Sequence, residues 1–275
     1  MLSPRFRLAA AAALLAPALL ASSLAFPARA RDLCAPVPPG LIAWWKLDGN
    51  GLDFTGNHNG AAVGTGSFVG GLVGGGYRSD GPGSLVLVPD SPAFAIQNFT
   101  MDAWVYVDSL AVYNLPVIWK GSPTGSDLTS PFALAIYGST EKPLLAGFPF
   151  VVIDDGTIEQ ELDGPGALPL GTWVHLAATL DASTLTLYVN GVPVNSVARI
   201  VSLQVNSRPI QLASVVGSGA LNWFSGIVDE VEIHSAAATP AQIQAIYEAG
   251  AAGKCPLITP ARTHTWGEVR RNYLK

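Results

Sequence analysis

The chain has 275 residues, of which 49% are hydrophobic and 13% charged, and its formal net charge at pH 7 is −5. Residues 1–30 contain three arginines, and the other 245 residues hold 12 basic and 20 acidic side chains, a net charge of −8. This balance argues against nucleic acid or an anionic membrane surface as a partner, and the length suits one β-sandwich domain.

The first 30 residues have the layout of a secretory signal peptide. Arg5 and Arg7 precede an apolar stretch from Leu8 to Ala21, and Ala28-Arg29-Ala30 forms a small-x-small cleavage site. A membrane anchor is the alternative interpretation, against which Pro17 and the alanine-rich composition argue. We therefore predict a protein that is secreted, periplasmic or at the cell surface, with no membrane span after cleavage.

Short runs with a two-residue hydrophobic period, separated by turn residues, fill most of the chain. In the clearest run, residues 172–180, one face holds Val174, Leu176, Ala178 and Leu180. The next run ends at Asn190-Gly191, a dipeptide that accepts the positive φ angles of a tight hairpin turn. The glycine-rich stretch 64–76 is interpreted as turns. A dozen such strands without interleaved helices predict an all-β sandwich of two antiparallel sheets.

One short helix is predicted near the C-terminus. Thr239 suits the N-cap, Pro240 fits the first helical position, Gln242 completes a capping box, and Gly250 is a natural terminator. Residues 256–275 differ in composition and form a basic and aromatic tail, for which docking on a partner is an alternative role. The charged residues of this tail are Arg262, Glu268, Arg270, Arg271 and Lys275.

Cys34 and Cys255 are the two cysteines of the chain, and they flank the patterned region. In an exported protein such a pair is expected to form one disulfide that joins the ends of the domain. Two unrelated thiols are the alternative. Two cysteines are too few for a thiolate zinc site.

Six segments, followed by the capped helix, form a series in the chain. They read AWWKLDGNG (43–51), VPDSPAF (88–94), FTMDAWV (99–105), GTWVHLAATLD (171–181), LYVNGV (187–192) and GIVDEVEIH (226–234), and the helix ends in YEAGAAGKC (247–255). In this order they resemble the laminin G-like jelly-roll domains of secreted bacterial proteins, within the concanavalin A-like lectin and glucanase superfamily. The resemblance implies a jelly roll of two curved sheets over residues 31–255, often with calcium, and usually non-catalytic binding of glycans or proteins.

A glycine-rich loop near the N-terminus holds oxygen ligands of the kind that calcium prefers, Asp48, Asn50, Asp53 and Asn57. In the last predicted strand, strict alternation places Asp229 on the core face with Ile227, Val231 and Ile233. A buried carboxylate there needs a cation or several donors. We therefore hypothesise one structural Ca²⁺ between Asp229 and the loop, which the resemblance supports. The alternative is that Asp229 bonds to backbone amides while the loop residues only form turns.

Glu230 and Glu232 are the candidates for a catalytic pair. They share the other predicted face of the last strand with His234, and glucanases of this superfamily place carboxylates at alternate positions of one strand. The glucanase pattern needs an acid at the third alternate position, where this chain has His234. The sequence therefore favours a protein that is not an enzyme, with glycan cleavage as the alternative.

Polar and aromatic side chains share the faces of two predicted strands, with Asp102, Trp104 and Tyr106 on one and Trp173 and His175 on the other. Such surfaces suit sugars, whose C–H faces stack on rings while hydroxyl groups form hydrogen bonds; burial in the core is the alternative. An acidic hairpin is interpreted as solvated, with a second cation site as the alternative: Asp154, Asp155, Glu159, Glu161 and Asp163. We predict a secreted module that binds carbohydrate, or else an adhesive domain that binds a cell-surface or extracellular protein.

Overall fold

The computed structural model of the protein describes residues 34–121, 130–216 and 222–255. The predicted signal peptide, 1–30, and the predicted tail, 256–275, lie outside these residues. The described strands are β1 (Leu41–Trp45), β2 (Ala61–Val63), β3 (Ser67–Gly70), β4 (Gly75–Ser79), β5 (Leu85–Val88), β6 (Phe99–Val107), β7 (Asn114–Lys120), β8 (Phe132–Tyr137), β9 (Pro149–Asp154), β10 (Glu159–Asp163), β11 (Trp173–Leu180), β12 (Thr184–Val189), β13 (Val192–Ala198), β14 (Ile210–Leu212) and β15 (Gly226–His234). The described helices are α1 (Pro240–Ala249) and three short 3-10 helices (Pro92–Phe94, Pro143–Leu145 and Gly250–Ala252).

The strands form two antiparallel sheets. Sheet one has the order β13-β12-β11-β6-β15-β4-β3, and β1 also pairs with β15. Sheet two has the order β10-β9-β8-β7-β14-β5-β2. Neighbouring strands are often distant in sequence, as β6 and β15 are, which is the connectivity of a jelly roll. The predicted all-β sandwich with one short C-terminal helix is confirmed.

The main hydrophobic core lies between the inner faces of the two sheets. The predicted core face of β11 is confirmed, because Val174, Leu176, Ala178 and Leu180 all belong to this core. Phe99 of β6 and Phe132 of β8 meet across the sandwich with their ring centroids 5.8 Å apart. Since full burial of such a side chain contributes about 1.5 to 3 kcal/mol, the inner faces hold the fold together and leave the outer faces free for other chemistry.

The predicted turn at Asn190-Gly191 is present between β12 and β13. Asn190 has φ 51° and Gly191 has φ 78°, both in the left-handed region that this dipeptide tolerates. The Asn190 side chain also accepts a hydrogen bond from the backbone N–H of His175, at 3.0 Å. The turn therefore fixes the start of β11 as well as the hairpin.

The interpretation of residues 64–76 as turns alone is wrong. This stretch contains β3 and the start of β4, which pair with Phe68 opposite Tyr77. The two rings lie 5.3 Å apart, and Tyr77 is buried in the main core. Burial of these two aromatic side chains outweighs the low strand propensity of the surrounding glycines.

A β-bulge at Glu230 changes which residues of β15 share a face. Asp229 pairs with Trp104 of β6 and Glu232 pairs with Asp102, with an irregularity between the two pairs. Glu230 has φ 54°, a left-handed conformation. An extra residue of this kind shifts the alternation of the strand by one position.

The predicted placement of Asp229 with the core residues of β15 is therefore wrong. Before the bulge the residue that points into the core is Val228, and after it the core residues are Val231 and Ile233. Asp229 lies on the outer face of sheet one, opposite Trp104. The bulge thus brings Asp229, Glu232 and His234 to one face. Strict alternation would place Asp229 on the face opposite Glu232 and His234.

The two ends of the described chain lie side by side on sheet one. Cys34 and Cys255 form a disulfide across 221 positions, which confirms the predicted pairing. The backbone N–H of Ala35 donates to Gly253 at 2.9 Å, and that of Cys255 donates to Ala35 at 2.7 Å. Helix α1 has the predicted Thr239 capping box, and its Ile243 packs on Ala177 and Tyr188 on the outer face of sheet one. The helix and residues 250–255, which we call the C-terminal segment, cover part of this face.

Candidate functional site

The five residues predicted to bind ligand do share one outer face of sheet one. In the register of β6 and β11, Tyr106 lies opposite Trp173 and Trp104 lies opposite His175. Trp104 is only 5% exposed because the ring of Tyr247, from α1, stacks on it at 5.9 Å. Asp102 and His175 are fully buried, whereas Tyr106 and Trp173 are half-buried and contact each other edge to face at 5.6 Å. The face is therefore divided into a covered part and a small open aromatic pair.

The covered part contains a cluster of buried charges around Lys254, which we call the Lys254 cluster. Its members are Asp102, His175, Glu230, Glu232, His234 and Lys254. The ammonium nitrogen of Lys254 lies 3.2 Å from Asp102 Oδ2, 3.5 Å from Glu232 Oε1 and 3.9 Å from Glu230 Oε2. Three carboxylates thus surround one ammonium group beneath the C-terminal segment.

Burial and ion pairing shift the pKa values of this cluster in different directions. Burial alone would lower the pKa of Lys254, but the carboxylates of Asp102, Glu232 and Glu230 outweigh it and raise that pKa. Burial would likewise raise the pKa of Asp102, but the charge of Lys254 and the contact with His175 hold it below its usual range. Burial raises the pKa of Glu230 to about 8 despite the charge of Lys254. Asp102 and Lys254 therefore form the ion pair at the centre of the cluster.

Glu230 and Glu232, the candidates for catalysis, are both inside this cluster. Glu230 Oε2 accepts a hydrogen bond from Trp44 Nε1 at 3.0 Å, and Glu232 Oε2 lies 2.8 Å from His234 Nε2. Glu230 is 1% exposed and Glu232 is 0% exposed. A glycosidase pair needs room for a sugar and a water molecule between its carboxyl groups. These two side chains instead hold the C-terminal segment to sheet one.

Three members of the Lys254 cluster have the spacing of metal ligands. Asp102, Glu232 and His234 each offer one ligand atom, and these atoms lie within 4.8 Å of one another. Lys254, however, already contacts the two carboxylates and supplies a positive charge to them. We therefore interpret the cluster as an ion-paired structural element.

The residues predicted to bind calcium fall into two groups. Asp53 accepts hydrogen bonds from backbone N–H groups: Trp44 and Thr55 donate to Oδ1, and Asn57 and His58 donate to Oδ2. Both of its oxygens are therefore used in stabilising the loop. The side chains of Asn50 and Asn57 make only short-range contacts within this loop. These three residues form turns, as in the alternative interpretation of the sequence.

Asp48 and Asp229, by contrast, bind the same turn, between β3 and β4. Asp229 Oδ2 accepts from the backbone N–H groups of Leu72 and Val73 at 2.8 and 2.9 Å, and Asp48 Oδ1 accepts from that of Gly75 at 2.5 Å. Burial raises the pKa of Asp229 to about 7, and the carboxylate of Asp48 adds to this effect. Among the described residues, Asp229 Oδ1 has no hydrogen-bond partner. A buried carboxylate oxygen without a hydrogen-bond partner, beside a second carboxylate, offers oxygen ligands that fit a hard cation such as Ca²⁺.

A cleft lies on the other side of the sandwich, on the outer face of sheet two. It has a volume of about 290 Å³ and runs across β7, β8, β9 and β10. Its lining is aromatic at the base and acidic at the rim. The lining residues are Tyr113, Asn114, Trp119, Ser130, Tyr137, Glu141, Phe150, Val152, Glu159, Glu161 and Asn222.

The aromatic base of the cleft is held in place by stacking and by hydrogen bonds. Tyr137 and Phe150 stack with their centroids 4.1 Å apart and their planes at 16°. The indole N–H of Trp119 donates to Ser130 Oγ at 2.7 Å. Trp119 is half-buried and Tyr113 is 38% exposed, so both rings present surface to the cleft.

The acidic rim is partly neutralised by one lysine. Lys142 Nζ lies 2.8 Å from Glu161 Oε1 and donates to Tyr137 Oη at 2.6 Å, while Tyr137 Oη donates to Asp163 Oδ1 at 3.0 Å. Removal from water, together with nearby Glu161 and Asp154, raises the pKa of Glu159. Burial and the neighbouring Glu141 carboxylate raise the pKa of Tyr113. The rim therefore has a surplus of negative charge.

The sequence predicted the acidic hairpin of this cleft but not its aromatic base. Every residue of β8 and β9 is buried, so these strands lack the polar alternation that distinguishes an outer face. Tyr137 and Phe150 consequently have the pattern of core residues, yet they belong to a separate cluster on the outer face. Pairing across strands is what brings them beside Trp119. The one available signal was the run of acids at alternate positions, Glu159, Glu161 and Asp163.

The chain belongs to the concanavalin A-like lectin/glucanases superfamily. A laminin G-like family of this superfamily matches residues 80–244, which is more than half of the chain. The match includes β6 and β15 of sheet one and all of β7 to β10, and therefore every lining residue of the cleft. The resemblance drawn from the six sequence segments is confirmed.

Solved structures share the fold at low sequence identity. Domain 4 of AbnA, an extracellular arabinanase from Geobacillus stearothermophilus solved with arabinotriose, is 21% identical with a TM-score of 0.58, covering 74% of this chain and 97% of that one. The ligand-binding domain of botulinum neurotoxin serotype D, solved with N-acetylneuraminic acid, is 15% identical with a TM-score of 0.55, covering 76% of this chain and 50% of that one. A Trypanosoma rangeli sialidase is 16% identical with a TM-score of 0.56, covering 79% and 36%. The chain thus spans nearly all of the arabinanase domain but half or less of the other two proteins.

No curated protein matches the chain. Within the described residues, no helix has both the length and the apolar composition that crossing a bilayer requires.

Proposed function

We propose that this protein is a non-catalytic module that binds carbohydrate in the cleft of sheet two. The observation that supports this most directly is the combination of exposed ring surface, from Trp119 and Tyr113, with carboxylates at the rim of one cleft. Sugar rings stack their C–H faces on aromatic side chains, while their hydroxyl groups donate hydrogen bonds to oxygens at the rim. Arabinotriose and N-acetylneuraminic acid in two proteins of the same fold are consistent with such a role.

The cleft is a better candidate than the surface predicted from the sequence. On sheet one, Asp102, Trp104 and His175 are covered by α1 and the C-terminal segment, and only Tyr106 and Trp173 present ring surface. The carboxylates of Glu230 and Glu232 are likewise buried. A ligand could therefore reach many more polar and aromatic groups at the cleft.

A glycan array, followed by titration calorimetry on the best ligand, tests this proposal. We expect Trp119→Ala and Tyr113→Ala each to weaken binding, by roughly tenfold for the loss of one stacked ring. The matched control is Trp173→Ala, which removes a half-buried ring from sheet one and should leave binding unchanged. Circular dichroism and denaturant midpoints of the three variants establish that they fold.

Two results would contradict the proposal. One is an array with no bound glycan in the presence and absence of calcium. The other is a glycan whose binding depends on Trp173 and not on Trp119, because this would return the ligand to the surface of sheet one.

We further propose that one Ca²⁺ stabilises the fold at Asp48 and Asp229, and that the protein works outside the cytoplasm. The orphaned Asp229 Oδ1 supports the first statement, and the disulfide between Cys34 and Cys255 supports the second. Such a protein would be secreted, periplasmic or at the cell surface, in contact with extracellular glycans.

A further inference from the structure

We propose that the cleft selects glycans that carry free amino groups, so that its preferred ligand is a cationic amino sugar. This inference rests on the proposed carbohydrate-binding function and specifies the ligand class of the same cleft. Three features lead to it: the charge of the lining, the unpaired acceptors in it, and an ammonium group already bound there by the chain itself.

The charge of the lining is one-sided. Among the described residues, the cleft is lined by three carboxylates, Glu141, Glu159 and Glu161, and by no basic side chain. Lys142 lies beside the rim and pairs with Glu161 at 2.8 Å. Glu141 and Glu159 have no ion-pair partner among the described residues. A positively charged ligand would therefore be attracted, and an anionic sugar would meet two carboxylates that have no ion-pair partner.

The polar atoms left unpaired in the cleft are acceptors. Asn114 is only 7% exposed, lines the cleft, and has a side-chain oxygen without a hydrogen-bond partner in the described part of the chain. Glu141 is half-buried and its carboxylate contacts the Tyr113 hydroxyl, but its Oε2 atom is buried and has no hydrogen-bond partner in the described part of the chain. The indole N–H of Trp119, by contrast, already donates to Ser130. A buried acceptor without a donor is costly, so the ligand that fits best supplies N–H or O–H donors at these two points.

Lys142 shows how an ammonium group is held at this surface. Its Nζ lies 4.2 Å from the centroid of the Tyr137 ring while it pairs with Glu161 and donates to Tyr137 Oη. This geometry combines a cation over an aromatic face with a charge-assisted hydrogen bond. Trp119 and Tyr113 with Glu159 and Glu141 offer the same two components, a ring and a carboxylate, without a cation of their own. The amino group of a sugar would complete this second set.

The test compares two oligosaccharides with the same backbone. A β-1,4-linked glucosamine tetramer carries four protonated amines at mildly acidic pH, and its N-acetylated counterpart is neutral. Because a hydrogen bond to a charged group is stronger than one between neutral groups, we expect the glucosamine tetramer to bind at least about tenfold more tightly. Glu141→Gln and Glu159→Gln should each reduce this preference several-fold and leave affinity for the neutral tetramer unchanged.

The control variant is Glu248→Gln, which removes one negative charge from the exposed face of α1, far in sequence from the cleft. It should not change the preference. A lysine tetrapeptide tests whether positive charge alone is sufficient, and we expect it to bind more weakly than the glucosamine tetramer.

The possible results distinguish a failure of the amino-sugar inference from a failure of the carbohydrate-binding function. Equal or tighter binding of the neutral tetramer, with dependence on Trp119, would overturn the amino-sugar inference and leave the carbohydrate-binding function intact. A preference that is equally reduced by Glu248→Gln, or tighter binding of the lysine peptide, would also overturn it. If neither tetramer binds and the glycan array shows no bound glycan, the proposed function fails and this inference fails with it.

Discussion

Lys254 Nζ lies 3.2 Å from Asp102 Oδ2, and both side chains are buried between sheet one and the C-terminal segment. The two residues are 152 positions apart, and the residue after Lys254 is Cys255, which forms the disulfide with Cys34. The ion pair thus attaches the C-terminal segment to β6 of sheet one, and the adjacent disulfide attaches it to Cys34 near the start of the described chain. Their energetic roles can be separated by experiment.

Replacing Lys254 by methionine should strongly destabilise the protein. The change leaves the Asp102 carboxylate buried without its cation, beside the carboxyl groups of Glu230 and Glu232, and breaking a buried pair in this way costs about 3 to 5 kcal/mol. The free energy of unfolding in urea at pH 7 measures the effect. Lys46→Met is the control, because Lys46 lies over the rings of Trp44 and Phe54 at 4.5 and 4.8 Å and affects the pKa of Glu230 less than Lys254 does. If Lys254→Met lowers the free energy of unfolding by less than about 1 kcal/mol, which is the contribution of an exposed salt bridge, the ion pair does not hold the C-terminal segment.

Removing the disulfide should destabilise the same segment. For Cys34→Ser with Cys255→Ser we expect a loss of about 2 to 5 kcal/mol. Because Lys254 and Cys255 attach one segment, the combination of this variant with Lys254→Met should cost less than the sum of the two separate changes. Urea unfolding of all three proteins gives the coupling free energy. Strict additivity would mean that the two attachments act independently.

The stability of the folded protein should fall as the pH rises from about 5 to about 8. The pKa of Glu230 is about 8 in the folded state, because of burial, and that of Asp229 is about 7. A carboxyl group with a raised pKa holds its proton more tightly when folded, so its contribution is complete below the unfolded pKa and is lost as the pH passes the folded value. Asp102, whose pKa is lowered, acts in the opposite sense and loses its contribution only in acid.

Glu230→Gln tests this pH dependence. It should flatten the slope of unfolding free energy against pH by up to about 1.4 kcal/mol per pH unit, while Glu248→Gln on the surface should not. The measurements are made with a chelator present, so that cation binding at Asp229 does not contribute. A stability that rises from pH 5 to 8 would contradict the burial of an uncharged Glu230.

Replacing Gly191 by alanine should cost more than the same change at Gly49. Both glycines have a positive φ, 78° and 77°, so both substitutions strain the backbone by about 1 kcal/mol or more. At Gly191 the added methyl group would also lie 2.9 Å from Cβ of Tyr247 in α1, whereas at Gly49 nothing lies within 4 Å. The difference between the two unfolding free energies isolates the contact with the helix. Equal losses would mean that α1 moves aside without cost.

Calcium should raise the thermal unfolding midpoint of the protein. At a free concentration one hundred times the dissociation constant, binding to the folded state adds about 2.7 kcal/mol. Asp229→Asn should abolish the increase, and Asp53→Asn should leave it, since Asp53 uses both oxygens to bind backbone N–H groups. Differential scanning calorimetry with calcium and then with chelator measures both. No shift in the wild-type protein would remove calcium from the proposal.

Local patterns in the sequence were sufficient for the elements whose cause is local. The alternation of β11, the Asn190-Gly191 turn and the Thr239 capping box each depend on a few adjacent residues, and all three are present as predicted. The pairing of Cys34 with Cys255 was also predictable, because the chain has no other cysteine. Likewise, the order of the six segments predicted the superfamily.

Other features depend on contacts between residues that are distant in sequence. Strict alternation placed Asp229 in the core, whereas a bulge at Glu230, flanked by pairing to both β6 and β1, moves it to the outer face. Phe68 lies in a stretch whose glycines indicate turns, yet it pairs with Tyr77 of the next strand. In both cases the pairing of neighbouring strands outweighs the preference of the local sequence.

The fold class, the disulfide pairing and the surplus of negative charge could be predicted from the sequence, because they follow from periodicity, residue counts and near neighbours. Which polar and aromatic groups are accessible depends instead on how distant parts of the chain pack together. The C-terminal helix covers Trp104, and β8 and β9, buried along their whole length, place Tyr137 and Phe150 beneath an open cleft. Accessibility is a property of how sheets and helices pack on one another, and no short stretch of sequence contains that information.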